Sequence, residues 1–264
     1  MSVTTTRRSI IRITAEDGAA RPDHLAVEAP LVLALGGDAV ATLMRTPGHD
    51  LELAAGWLVV ESGVRHAEDI LQLRSCRQDE TDRVHMTLRA GVRPPRPRAF
   101  VTSAACGVCS ADVLDLSLLR PCTSPHTSTW QVAREVLAAL PEGMRRRQRA
   151  FDRTGGIHAA ALARADGSLL AVREDVGRHN AVDKVVGRAL FDGLLPAVDH
   201  LLVVSGRVSF EIVQKAVAAG VAGIVAVSAP SSLAVDLARE HDLLLAGMVR
   251  PGRLNLYAGE QYVR

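Results

Sequence analysis

His200-Leu201-Leu202-Val203-Val204-Ser205-Gly206-Arg207-Val208-Ser209-Phe210-Glu211 joins an apolar run to a small turn and the start of an amphipathic stretch. Four consecutive aliphatic residues after His200 suit a strand buried on both faces. Residues 210–219 then carry apolar side chains at helical spacing, and Gly220 ends them. The alternation extends in both directions. Downstream, residues 223–227 and 243–248 read as strands around a helix at 233–240. Upstream, 157–163 and 168–173 read as strands paired across Asp166-Gly167, and 179–191 as a helix. Strands alternating with helices predict a parallel or mixed sheet covered on both faces.

The first half has a different grammar. Residues 8–14, 24–28, 31–35 and 39–45 read as short strands, with Gly36-Gly37-Asp38 as a hairpin turn. Pro47-Gly48 breaks the chain, and 49–62 has helical spacing closed by Gly63. Residues 70–74 and 83–89 read as strands joined by the polar turn 78–82, and the Arg/Pro-rich 91–98 as an extended arm. A helix capped by Ser128 and running to Leu140 is expected to end at Pro141-Glu142-Gly143. Arg145, Arg146, Arg147 and Arg149 then read as a solvated helix face. The fold class is α/β in the second half and α+β overall. Residues 1–140 form an N-terminal α+β domain with hairpins, and 141–264 a C-terminal mixed-sheet domain.

The 264 residues are 48% hydrophobic and 23% charged, which is ordinary for a globular protein. Net charge is +2, too balanced for a general nucleic-acid binder. Of the 31 basic residues only Lys184 and Lys215 are lysines, so 29 are arginines. That bias is ascribed mainly to genome composition, although arginine forks also suit phosphate. Arg7-Arg8 lacks the apolar stretch of an export signal, and no apolar run approaches a membrane span, so a cytoplasmic protein is expected.

Ligands bind outside the carboxyl ends of strands in such sheets. Ser205-Gly206-Arg207 opens one helix there, and Ser228 to Ser231 opens another. Helix N-termini can hold phosphate, although serines there often serve only as caps. Met248-Val249-Arg250-Pro251-Gly252-Arg253 follows the last strand and can clamp a diphosphate, or be an exposed hairpin tip. Arg173 to Lys184 packs seven ionisable side chains into twelve residues at a further strand-to-helix junction.

Cys106-Gly107-Val108-Cys109 sits between the arm and an amphipathic run. A helix entrance lowers a thiol's pKa, favouring Cys106 as a nucleophile. Three readings are open on spacing alone. Cys106, Cys109, Cys122 and His126 have spacings close to a zinc site. A thioredoxin-like dithiol would want a preceding strand and an aromatic residue, where Ala104-Ala105 stand. A persulfide carrier needs one thiolate on an arm and a separate anion pocket, and fits best. Cys76 reads as a half-buried strand residue.

The ordered motifs Ser103 to Cys109, Phe151-Asp152-Arg153-Thr154-Gly155-Gly156-Ile157-His158-Ala159-Ala160, Arg173 to Lys184 and Ser205 to Glu211 resemble the FdhD family of formate dehydrogenase accessory sulfurtransferases. The resemblance runs over nearly the whole chain from about His24. It implies a cytoplasmic homodimer that takes sulfur from a cysteine desulfurase. The sulfur would pass to the molybdenum cofactor, bis(molybdopterin guanine dinucleotide), before that enters formate dehydrogenase. It assigns Cys106 and Cys109 to sulfur chemistry and residues 248–253 to the cofactor. It also implies a cytidine-deaminase-like, three-layer second domain. His158-Ala159-Ala160 replaces the deaminase H-x-E, so deaminase zinc chemistry is not expected. The alternative is a zinc-stapled chaperone that binds the cofactor without transferring sulfur.

Overall fold

The computed structural model describes residues 4–15, 17–78, 80–96, 101–102, 126–127 and 129–264. Strands β1 (Thr5–Ile13) and β2 (Gly18–Ala26) form an antiparallel ribbon of their own. This ribbon is longer than the weak alternation at 8–14 suggested, and β2 ends at Ala26, inside the strand expected at 24–28. The hairpin β3 (Ala29–Leu35) and β4 (Asp38–Arg45) follows the sequence reading closely, as does helix α1 (Asp50–Glu61). With β5 (Ile70–Gln78), β6 (Thr81–Leu88) and the short β7 (Val101–Thr102) they make a five-stranded sheet of order β5-β6-β3-β4-β7. Cys76 lies half-buried on β5.

Helix α2 (Arg134–Arg145) departs from expectation. It starts later, and it runs through Pro141 instead of ending there. The proline deletes one backbone donor, but Leu137, Leu140 and Met144 form a buried stripe against the second sheet. That packing outweighs the missing bond, as tertiary burial often does for marginal helices. The arginine run that follows contributes to α3 (Arg149–Thr154), a short helix the sequence reading did not separate.

The second sheet contains β8 (His158–Arg164), β9 (Leu169–Asp175), β10 (His200–Val204), β11 (Gly223–Ala226), β12 (Leu244–Arg250) and β13 (Arg253–Ala258), in the order β13-β12-β11-β10-β8-β9. Strands β10, β11 and β12 are parallel, whereas β8, β9 and β13 run antiparallel to their neighbours. Helices α4 (Arg178–Phe191), α5 (Phe210–Ala219) and α6 (Ser232–Glu240) complete the alternation. Because strand side chains alternate, the strands feed two cores. Leu201, Val203, Val225 and Ala246 face α2, while Leu202, Val204, Ile224 and Leu245 face α4 and α5. This is the three-layer mixed sheet that the apolar runs predicted.

The two halves share one core. Residues of β3, β4, β6 and α1 lie in the same buried cluster as those of α4 and α5. A boundary drawn at residue 140 cuts α2, which packs on the second sheet. Helices α1 and α4 touch at Gly56 and Gly187. A Cβ on Gly56 would lie 1.9 Å from the Asp183 carbonyl oxygen, and one on Gly187 would lie 1.8 Å from that of Glu52. Only glycine permits that approach. No helix among the described residues is long and apolar enough to cross a membrane.

Candidate functional site

A cavity of about 600 Å³ opens at the carboxyl ends of β10, β11 and β12, where the switch-point rule placed it. The floor is strand-end backbone with Ser205, Val227 and Val249. The roof comes from α2 and α3, with Pro141, Glu142, Arg145, Gln148 and Phe151. Gly155-Gly156-Ile157-His158 leads from α3 into β8 along one wall, and Arg250-Pro251 closes another.

Two arginines bring positive charge. Arg250 donates from Nη1 to the carbonyls of Val227 (2.6 Å) and Val249 (2.8 Å), which fixes its guanidinium at the strand ends. Arg145 donates to Asp152 at 2.6 Å, and its Cζ lies 4.5 Å above the Phe151 ring. The Ser205 hydroxyl accepts from the Ala159 amide at 2.9 Å and lies 3.5 Å from His158 Nδ1. His158 is held below its ordinary pKa, first by burial and then by the positive charge of Arg178 and His179. It is therefore a neutral imidazole at physiological pH. A cationic rim over an apolar body with glycine backbone at one wall suits a phosphate-bearing ligand.

The predicted residues separate. Ser205, Val249, Arg250 and Pro251 line the cavity. Gly206 is packed beside His158 and Arg178, and a Cβ there would lie 3.3 Å from His158 Nδ1. Met248 precedes the rim with φ of 53°, in the left-handed region that few non-glycine residues adopt. It sits in the irregularity between Gly247 and Arg250, and its amide donates to the Ser228 carbonyl at 3.2 Å. That bulge turns Arg250 toward the cavity. Arg250 pairs with Arg253 across the Pro251-Gly252 tip of the β12–β13 hairpin, and Arg253 is exposed. Arg207 is exposed as well. Ser231 caps α6, its hydroxyl accepting from the Ala234 amide at 3.3 Å. Cys106 and Cys109, with Cys122, lie outside the described residues. His126 is described: its Nε2 is 2.7 Å from the Asp242 carbonyl, and its ring stacks on Tyr262 with centroids 3.8 Å apart.

The dense motif at 173–184 proves mainly architectural. Asp175 is fully buried and meets Lys184 Nζ at 2.7 Å. It also accepts from Asn180 at 3.0 Å, from the Gly177 amide at 2.8 Å and from the Thr46 amide at 3.1 Å. Lys184 donates to the Thr46 carbonyl at 2.8 Å, and Asn180 to that of Met44 at 2.8 Å. The end of β4 is thereby stitched to the β9–α4 junction, whose Val176 lines the cavity. Strand β7 runs parallel to β4, Val101 opposite Thr42 and Thr102 opposite Leu43. Thr102 therefore stands opposite a β4 residue three positions before Thr46.

His158, Phe151 and Arg145 were not predicted as site residues. His158 and Phe151 belong to the motif around Gly155-Gly156, a glycine pair before a strand, and that pair was the signal available in sequence.

The FdhD/NarQ family profile matches residues 26–264. The chain is 46% identical to the sulfur carrier protein FdhD of Mycolicibacterium paratuberculosis, with 96% of each chain covered. It is also 46% identical to that of Streptomyces avermitilis, over 100% of this chain and 97% of the relative. In fold it is similar to the crystal structure of a putative formate dehydrogenase accessory protein from Desulfotalea psychrophila. The TM-score is 0.79 at 21% identity, with 99% of this chain and 100% of the other covered.

Proposed function

The chain belongs to the FdhD/NarQ family, and from that premise we propose that it carries sulfur for a formate dehydrogenase. Cys106 accepts a persulfide sulfur from a cysteine desulfurase and delivers it to the molybdenum cofactor in its bis(molybdopterin guanine dinucleotide) form. That cofactor is the substrate here. Its phosphates would meet Arg250 and Arg145, with the Gly155-Gly156 backbone beside them, and the apolar floor would take the flat ring systems. The protein works in the cytoplasm as a homodimer. Cys109 assists Cys106.

One observation carries the reading. β7 runs parallel to β4 with Thr102 opposite Leu43, and the Thr46 amide just after β4 bonds Asp175 at the β9–α4 junction, whose Val176 lines the cavity. A carrier needs its thiol within reach of the acceptor site, and this placement of Thr102 supports that. A metal-stapled chaperone has no such need.

The test is the intact mass of the reduced protein after incubation with a cysteine desulfurase and cysteine, with metal analysis of the same sample. A reductant-labile sulfur adduct mapping to Cys106 supports the proposal. One bound zinc and no adduct would replace it with the chaperone reading.

A further inference from the structure

Gln148 joins α2 to α3 on the roof of the cavity and is only 3% exposed. Its backbone is engaged: the amide donates to the Arg145 carbonyl at 3.2 Å, and the carbonyl accepts from the Asp152 amide at 3.1 Å. A residue at a helix start commonly caps the helix with its side chain. Here Glu174 of β9 does so instead, accepting from the Ala150 amide at 2.9 Å and from the Phe151 amide at 2.8 Å. The Gln148 carboxamide is left without a hydrogen bond to any described residue. Neither its Oε1 nor its Nε2 is among the polar atoms sealed without a partner. In a residue that is 97% buried and lines the cavity, that opening is the cavity itself. A buried carboxamide with donor and acceptor both unused is costly, which implies an occupant that uses them.

The chemistry of the group defines the occupant. Anionic parts of a ligand already have Arg145 on the roof and Arg250 at the strand ends. A carboxamide is uncharged and presents an acceptor and a donor side by side. A phosphate would use the donor and set its own oxygens against the acceptor. A cyclic amide, with C=O beside N–H in one ring, uses both: the ring N–H donates to Oε1, and the ring carbonyl accepts from Nε2. On the same roof Pro141, Met144 and Phe151 are apolar, which suits the faces of such a ring.

We propose that Gln148 recognises the heterocycle of the ligand, through paired hydrogen bonds to the cyclic amide edge that guanine and pterin share. The proposal rests on the reading that the cavity takes a guanine dinucleotide of a pterin, and it names the residue that reads the ring. Arg145 and Arg250 hold charge and are indifferent to which ring is attached. Gln148 is the specificity-determining residue.

Calorimetric titration of the full chain tests this with GDP, with 1-methylguanosine diphosphate, in which a methyl group replaces the ring N–H, and with pyrophosphate, which has no ring. 6-Hydroxymethylpterin separates the two sources of the edge. Gln148→Leu is expected to weaken GDP about tenfold, the loss of a pair of neutral hydrogen bonds, and to leave pyrophosphate unchanged. The wild type should bind the methylated nucleotide about tenfold more weakly than GDP, and Gln148→Leu should no longer tell them apart. A loss confined to the pterin would support the proposal with pterin as the ring at Gln148. Unchanged affinity for both rings in Gln148→Leu would overturn it, as would a wild type that binds neither ring. An equal loss of pyrophosphate would also overturn it, since Gln148 would then shape the pocket without reading a ring. Sulfur adducts on the wild type are scored separately. Adducts with no ring-specific effect of Gln148→Leu would sink this proposal and leave the carrier standing. A ring-specific effect with no adduct would sink the carrier instead.

Discussion

Arg250 and Arg253 occupy equivalent places on facing strands of one hairpin, yet only Arg250 lines the cavity. Arg250→Ala is therefore expected to weaken binding of guanine nucleotides about tenfold, while Arg253→Ala alone changes it by less than about threefold. Sulfur loading should survive in both; fluorescence titration with GDP and adduct mass read the two effects apart. Glu52 makes a different prediction. Burial by itself would raise its carboxyl, but hydrogen bonds from Arg173 and His49 outweigh this and bring it down to about 2 from 4.5. A carboxylate depressed in the folded state adds stability that is complete above the unfolded pKa and lost as pH falls through the folded one. Wild-type stability should thus decline between about pH 4.5 and pH 2. Glu52→Gln should be less stable at pH 7 and show a shallower decline in that window, measured by urea unfolding at pH 7 and pH 3. At this scale the sequence was legible for position where a residue lies at its own strand end, as Ser205 and Arg250 do in lining the cavity. It was silent on His158 and Arg178, whose neighbours arrive from other elements. Of its two readings for Ser231, the structure shows the cap, the hydroxyl accepting from the Ala234 amide.

At the scale of elements, Pro141 is the instructive case. A proline in a helix interior costs about 3 kcal/mol relative to alanine, but Pro141 is also buried, and truncating its ring exposes about two methylene equivalents. Pro141→Ala should therefore stabilise the fold by only about 1 kcal/mol, seen as a rise in Tm of several degrees. The proline rule made the sequence end α2 too early, because the rule counts the lost bond and not the buried stripe of Leu137, Leu140 and Met144. Strand β13 was overlooked for a related reason. Its alternation of Leu254 and Leu256 with Arg253 and Asn255 is a strand pattern, but the Pro-Gly turn before it was weighed as a clamp. The strands of the second sheet were legible because burial on both faces demands unbroken apolar runs, and Leu201 to Val204 have no other use.

Across the whole molecule, the C-terminus ties down the segment that follows the cysteines. Val132 donates to the Tyr262 carbonyl at 2.9 Å, and Arg264 donates back to the Val132 carbonyl at 3.1 Å. Tyr262 also stacks on His126 and bonds Asp242. Truncation after Gly259 should raise hydrogen exchange at Val132 and Arg134 by at least tenfold while leaving β10 and β11 protected, since the sheet core does not depend on these contacts. The sequence could not have shown this tie, because residues 126–133 and 260–264 carry no pattern that matches one to the other. The same holds for the stitch from Thr46 to Asp175 and Lys184, which joins residues more than a hundred positions apart. The two anchors together bear on how sulfur is delivered. Thr102 is anchored by the pairing of β7 with β4, and Trp130 by its Nε1, which donates to the Asp199 carbonyl at 3.0 Å. On the sulfur-carrier proposal, a thiol carried between these two anchors would act as a local reagent at an effective concentration on the order of millimolar. Transfer within the complex should then be zero order in added thiol: the rate of delivery is set by the length of the tether, and the pool of sulfur outside the protein decides only how often the tether is reloaded.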